Sequence, residues 1–172
     1  TALLDKRRNQ SIIIYCFSRK DTENVAHNLN SEGFKARAYH AGLEPGQRKK
    51  TQELFIRDEI NIIVATIAFG MGIDKPDVRL VVHFTFPKSL EGYYQEIGRA
   101  GRDGLPAECV LFYTAADARK HRFFIDMIED DDLRTQSERK MSEVMEFAEL
   151  RSCRRRHILG YFGEKYSADN CA

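Results

Sequence analysis

Hydrophobic positions along this 172-residue chain follow two patterns, and the change between them divides it. Through Tyr113, short apolar runs alternate with segments of helical spacing. Residues 11–17 (Ser-Ile-Ile-Ile-Tyr-Cys-Phe) form a β-branched run without polar alternation, as expected of a strand buried on both faces. Residues 21–31 place Val25, Ala26 and Leu29 at helical spacing, and Gly33 is a stop. Residues 34–39, 60–65, 79–84 and 107–113 read as four further strands. Residues 47–57, with Leu54 and Phe55 inward, and 89–97, capped by Ser89, read as helices. Strand then helix, repeated, gives an α/β fold with a parallel sheet covered by helices on both faces, here over 1–114. Residues 1–10 read as a helix end or linker. After Thr114 no strand signal returns. Residues 117–129, 133–150 and 152–162 read as helices, with the acidic cluster 129–132 a solvated connection and Gly163 the final stop. This predicts a small helical subdomain over 115–172.

Composition narrows the class. The chain is 42% hydrophobic and 31% charged, enough for a core without covalent staples. A formal net charge of +1 excludes a global basic field, so a nucleic-acid partner needs a local patch. Cys16, Cys109, Cys153 and Cys171 are widely spaced. Cys16 and Cys109 sit in apolar runs, where a thiol acts as a small hydrophobe. The pattern fits a reducing, intracellular compartment, not a disulfide framework. No run of about 18 apolar residues is present for a membrane span, and the N-terminus lacks a signal-peptide pattern. The first ten residues are polar and do not start with Met, which suggests a fragment.

The candidate chemistry lies in loops. In parallel sheets ligands sit beyond the carboxyl ends of the strands, so the loops holding Ser18-Arg19, His40, residues 66–74 and residues 95–102 are expected at one shared edge. Residues 66–74 put a hydroxyl, two glycines and a carboxylate after a buried strand. Thr66 suits a phosphate of a nucleic-acid backbone and Asp74 a ribose hydroxyl; an ordinary turn with Asp74 as a helix cap fits equally well. Residues 95–104 (Gln-Glu-Ile-Gly-Arg-Ala-Gly-Arg-Asp-Gly) set Arg99 and Arg102 between glycines. Arginine keeps its charge and grips phosphate through paired hydrogen bonds, so the pair suits a transferring phosphoryl group; two solvated arginines in a glycine-rich loop is the plainer alternative.

Four segments together resemble the C-terminal-lobe motifs of RecQ-family DNA helicases of superfamily 2. They are Tyr15-Cys16-Phe17-Ser18-Arg19, Ala38-Tyr39-His40-Ala41-Gly42-Leu43, the run from Val64 through Ala68-Phe69-Gly70-Met71-Gly72-Ile73-Asp74 to Asp77, and Tyr93-Tyr94-Gln95 through Gly104. Cys153-Arg154-Arg155 with Gly160-Tyr161-Phe162-Gly163-Glu164 resembles the start of that family's zinc-binding subdomain. The resemblance covers about residues 11–171. It implies a RecA-like lobe, of the P-loop NTPase type, that closes on a first lobe over ATP and Mg and moves along single-stranded DNA from 3′ to 5′, in repair and recombination. By matching position, Arg102 is implied as the arginine finger and Arg99 as its neighbour at the γ-phosphate. Asp74 is implied near the ribose, with Gly70 on the same nucleotide-facing loop. Gln95 would couple nucleotide state to closure. Ser18, Arg19, His40 and Thr66 would lie near the DNA backbone. The implied partners are single-stranded and branched DNA and an N-terminal RecA-like lobe, in a bacterial cytoplasm or nucleoid or a eukaryotic nucleus.

The chain contains no Gly-x-x-x-x-Gly-Lys-[Ser/Thr] phosphate loop, so half of an ATP site is expected and no activity from this chain alone. Asp58-Glu59-Ile60-Asn61 begins like a helicase acidic box but precedes a strand, and reads as a solvated turn. Cys153 and Cys171 match two of the family's four zinc ligands, and the site looks truncated at Ala172. His157 is a possible substitute ligand that fits solvent or core better. Arg154, Arg155 and Arg156 suit either DNA phosphates or, more simply, a solvated helix face. Two other readings remain: an RNA-directed superfamily 2 helicase lobe, and a non-catalytic helicase-like scaffold for DNA.

Overall fold

The computed structural model describes residues 2–70 and 74–167. Its elements run α1 (Ala2–Asp5), β1 (Ser11–Tyr15), α2 (Arg19–Ser31), β2 (Ala36–Tyr39), α3 (Pro45–Ile56), β3 (Ile62–Ala65), β4 (Val78–His83), α4 (Leu90–Ile97), β5 (Glu108–Leu111), α5 (Ala115–Asp126), α6 (Asp131–Glu149) and α7 (Arg154–Tyr161). The five strands form one parallel sheet in the order β2-β3-β1-β4-β5. β1 is central and buried at every residue, which is why its sequence is apolar without alternation. The two faces separate by residue parity. Ile12, Ile14, Ile62, Val64, Leu80 and Val82 pack with Ala26 and Leu29 of α2. Ile13, Tyr15, Ile63, Ala65 and Val81 pack with Phe55 of α3 and with Phe69. From β3 the chain crosses β1 to reach β4, the kind of reversal that opens a crevice in α/β sheets.

Local chemistry sets the element ends. Cys16 donates its N–H to Ala65, extending the ladder one step past β1. Ser18 then leaves the strand as the N-cap of α2: its Oγ accepts from the Asp21 N–H at 3.1 Å and donates to the Asp21 carboxylate at 2.7 Å. The helix therefore starts at Arg19, two residues before the apolar spacing shows it. Pro45 opens α3, where a missing N–H costs nothing. β5 is an edge strand, and Cys109 on it is exposed although it sits in an apolar run. The acidic cluster is exposed throughout, as expected, with Glu129 and Asp130 in the connection between α5 and α6, but half of it belongs to the helix. Asp130 caps α6 by accepting from the Leu133 N–H at 2.9 Å, and Asp131 and Asp132 lie in its first turn, where negative charge meets the positive end of the helix dipole.

The chain divides into two compact units. The first, Thr1–Phe86 with Gln95–Phe112, holds the sheet. The second, Pro87–Tyr94 with Tyr113–Ala172, holds α5 to α7 and the start of α4. Met141, Val144 and Phe147 form the buried face of α6. Phe147 meets Tyr93 at 5.2 Å between ring centroids and His157 at 5.8 Å. Arg154 donates to the carbonyls of Ala148 and Leu150, tying the C-terminal end of α6 to the start of α7.

Candidate functional site

Ser18, Arg19, His40 and Thr66 follow the carboxyl ends of β1, β2 and β3, as the fold requires. Each is held differently. The Ser18 hydroxyl is committed to its cap. Arg19 lies across Gly42, where an added Cβ would stand 2.8 Å from Arg19 Nη1, so the glycine makes room for the guanidinium. His40 is only 3% exposed, and its Nε2 sits 3.1 Å from Glu23 Oε1. This ties the loop after β2 to α2 and turns the ring away from solvent. Thr66 is half-buried; its N–H donates to the Tyr39 carbonyl, and its hydroxyl lies 3.5 Å from the Ala68 N–H.

The arginine loop meets the expectation of one shared edge only in part: Glu96 before it bonds His83 at the carboxyl end of β4, while residues 101–103 reach the other end of that strand. The loop precedes β5 and is pinned to the start of β4: Gly101 donates to Val78 at 2.9 Å and Asp103 to Pro76 at 3.3 Å. Gly101 has φ +62°, and a Cβ there would meet the Leu105 carbonyl at 2.8 Å, so this turn requires glycine. Arg79 pairs with Asp103 and, by hydrogen bonding to it, holds that carboxyl below the usual range. Because the segment after β3 runs from the carboxyl edge to the start of β4, it passes the loop. Gly70 lies under Arg99, and a Cβ on it would stand 2.6 Å from Arg99 Nη2. Asp74 Oδ1 is 3.9 Å from Arg102 Nη1, and both side chains are open to solvent. No helix starts at Asp74, so it is not a cap. Arg102 donates from Nε to the Gly98 carbonyl at 3.2 Å. Arg99 Nε is buried and meets no partner among the described residues. Gln95, on the last turns of α4, is exposed. The structure thus sets Gly70 beside Arg99 and Asp74 beside Arg102.

Residues that the loop motifs did not single out hold this arrangement. Lys75 is 4% exposed in its side chain, with Nζ 2.8 Å from Asp58 and 3.2 Å from Asp77. Asp58 sits in the expected turn, with φ +59°, but serves as an anchor for that buried ammonium. Tyr15 donates its hydroxyl to the Phe69 carbonyl at 3.0 Å. Burial pushes that hydroxyl well above its ordinary range, with the nearby Arg99 guanidinium acting in the opposite sense, so it stays a neutral donor. His83 Nε2 lies 2.6 Å from Glu96 Oε2. The available signal was a histidine ending an apolar strand and a lysine after a glycine-bearing loop.

The second unit bears on metal binding. Cys153 is half-buried at the N-terminal end of α7, and the His157 ring packs on Phe147. Cys171 lies outside the described residues. Among the described residues no group of three or more His, Cys, Asp or Glu is placed to hold a metal, so one thiol alone does not make a zinc site. No described helix is long and apolar enough to cross a membrane.

A parallel five-stranded sheet with helices on both faces and a glycine-flanked arginine pair beside it define a RecA-like helicase lobe. Residues 1–104 match the helicase conserved C-terminal domain, and residues 115–172 match the RecQ zinc-binding family. The chain is 51% identical over 159 residues to the ATP-dependent DNA helicase RecQ of Pasteurella multocida, covering 92% of this chain and 25% of that protein. It therefore spans about a quarter of that relative's length. A DEAD box protein from the hyperthermophile Methanococcus jannaschii superposes with TM-score 0.61 at 31% identity, over 73% of this chain and 35% of that one. The Mycobacterium smegmatis helicase Lhr, solved with ssDNA and AMP-PNP, superposes with TM-score 0.60 at 26% identity, over 73% and 17% of the respective chains. The chain belongs to the helicase C-terminal-domain family and, within it, to the RecQ helicases.

Proposed function

We propose that this chain is the second motor lobe of a 3′-to-5′ DNA helicase and supplies the arginine side of an ATP site whose phosphate-binding wall lies on another lobe. The carrying observation is the placement of Arg99: its guanidinium lies over Gly70, with Nε buried and unsatisfied among the described residues, next to Arg102 and Asp74. An unpaired buried donor is costly, and an anion closing on this surface would satisfy it. ATP with Mg, when bound, supplies the phosphoryl group and the metal charge. From this chain, Arg102 and Arg99 stabilise charge on the transferring group. Asp74 faces the ribose, and Gln95 couples closure to the nucleotide.

Single-stranded DNA runs over the carboxyl edge, gripped by Arg19 and Thr66, with Ser18 and His40 shaping the two loops. Such backbone grips are sequence-blind. Separate surfaces for nucleotide and strand let lobe closure and DNA grip alternate. In the second unit, Cys153 and Cys171, with ligands beyond Ala172, hold one zinc; metal analysis of a polypeptide extended past Ala172 that found no zinc would reject this.

The central test is DNA-stimulated ATP hydrolysis by the full-length protein. Arg102→Ala lowers turnover by about a thousandfold while leaving single-stranded DNA binding in place, and residues 1–172 alone give no turnover. An Arg102→Ala protein with full turnover would overturn the reading.

A further inference from the structure

Beneath the arginine loop lies a polar cluster inside the sheet. Tyr15 and His83 are paired across β1 and β4. They are 4% and 1% exposed, and their rings stack at 5.3 Å with 24° between planes. His83 Nε2 meets Glu96 Oε2 at 2.6 Å, and the Glu96 side chain is 12% exposed. A phenol, an imidazole and a carboxylate buried together are costly, and apolar residues of similar volume would pack the same space without that cost.

The geometry points to what the cluster does. The Tyr15 hydroxyl donates to the Phe69 carbonyl, one residue before Gly70. The Arg99 guanidinium is near enough to the same hydroxyl to act on it electrostatically, and its Nη2 rests on Gly70. Glu96 ends the same path from the other side: its carboxylate grips His83, and its carbonyl accepts the Arg99 N–H at 3.3 Å. Arg99 has a long side chain with much rotamer freedom to lose, on a loop with glycines on either side.

We propose that Tyr15, His83 and Glu96 are positioning residues that fix Arg99 over Gly70, so that the guanidinium is in place before the phosphate arrives. Tyr15 sets the side chain and the Phe69-Gly70 backbone together, and the His83–Glu96 pair fixes the helix end from which Arg99 springs. This rests on the reading that Arg99 faces a phosphate. Preorganised charge acts on the transition state more than on ground-state binding, so the cluster acts on kcat and spares KM.

The test is a kinetic double-mutant cycle in the full-length protein, reading DNA-stimulated ATP hydrolysis. Tyr15→Phe keeps the ring stacked on His83 and removes one oxygen. It is expected to lower kcat about tenfold with KM for ATP changed by less than about twofold. Glu96→Gln is expected to act in the same direction. The double variant Tyr15→Phe/Arg99→Ala is expected to be no slower than Arg99→Ala alone, because the hydroxyl works through that guanidinium. Wild-type kcat in Tyr15→Phe, or losses that multiply in the double variant, would overturn the inference; Tyr15→Phe decides this alone if Glu96→Gln does not fold. Full turnover by Arg99→Ala would instead remove the phosphate-facing reading, and this inference with it.

Discussion

Gly70 and Arg99 occupy one space: the position of a Cβ on residue 70 is 2.6 Å from the Arg99 Nη2 atom. The φ of Gly70 is not in the left-handed region, so alanine is allowed by the backbone and excluded only by the guanidinium. Gly70→Ala in the full-length protein is therefore expected to lower kcat about tenfold by displacing Arg99. The melting temperature is expected to move by less than about 3 °C. Hydrolysis assays beside thermal unfolding check both, and a fully active Gly70→Ala protein would show that the contact is unimportant.

At the carboxyl edge the exposed Arg19 guanidinium lies across Gly42. If it neutralises one phosphate of a single strand, removing it shifts the salt response as well as the affinity. For Arg19→Ala, the slope of log K against log salt is expected to become shallower by about 0.7. Titration of a fluorescent single strand at several salt concentrations measures this, and an unchanged slope would place Arg19 off the strand.

Lys75 is the most deeply buried cation described, held by Asp58 and Asp77 and lying 5.4 Å from the Phe55 ring centroid. Lys75→Met keeps the stem and deletes the charge. Both aspartates are about half exposed, at 61% and 47% of their side chains, and regain water once freed. The cost is therefore expected at or below the low end of that for a broken buried pair, about 1–3 kcal/mol, read as an earlier urea midpoint. No shift in the midpoint would mean that the ion pair contributes nothing.

Cys109 lies on the exposed edge strand, yet local burial, aided by the neighbouring Glu108 charge, pushes its thiol up to about 11. Both causes disfavour the thiolate, which is the reactive form. Alkylation at Cys109 is expected to be slow at pH 8 and to rise roughly tenfold per pH unit until pH approaches 11. Peptide-resolved mass spectrometry follows it, and rapid labelling at pH 8 would contradict the shift.

The alternation of elements was readable because its signals are local. A run such as Ile12-Ile13-Ile14 can only be buried on both faces, and Ser18 or Pro45 marks a helix start by its own chemistry. Boundaries were less readable where a cap depends on one side chain. Asp130 is part of an exposed acidic stretch, and only its bond to the Leu133 N–H marks it as the cap of α6. The charged loops carried a motif, but motifs do not say which edge they occupy. The expectation of one shared edge held only in part, because Gly101 and Asp103 are bonded to Val78 and Pro76 at the start of β4 while Glu96 bonds His83 at its carboxyl end.

By itself, the sequence determined the parallel α/β class, the helical continuation and the residues able to face phosphate, since periodicity and residue chemistry are properties of neighbours along the chain. Only the tertiary structure decided that Gly70 lies under Arg99, that Lys75 is buried between two aspartates, and that Tyr15, His83 and Glu96 meet below the loop. Tyr15 and Glu96 are separated by 81 positions in sequence. Nothing local relates such residues; they come together because β1 and β4 pair in register and α4 returns across them.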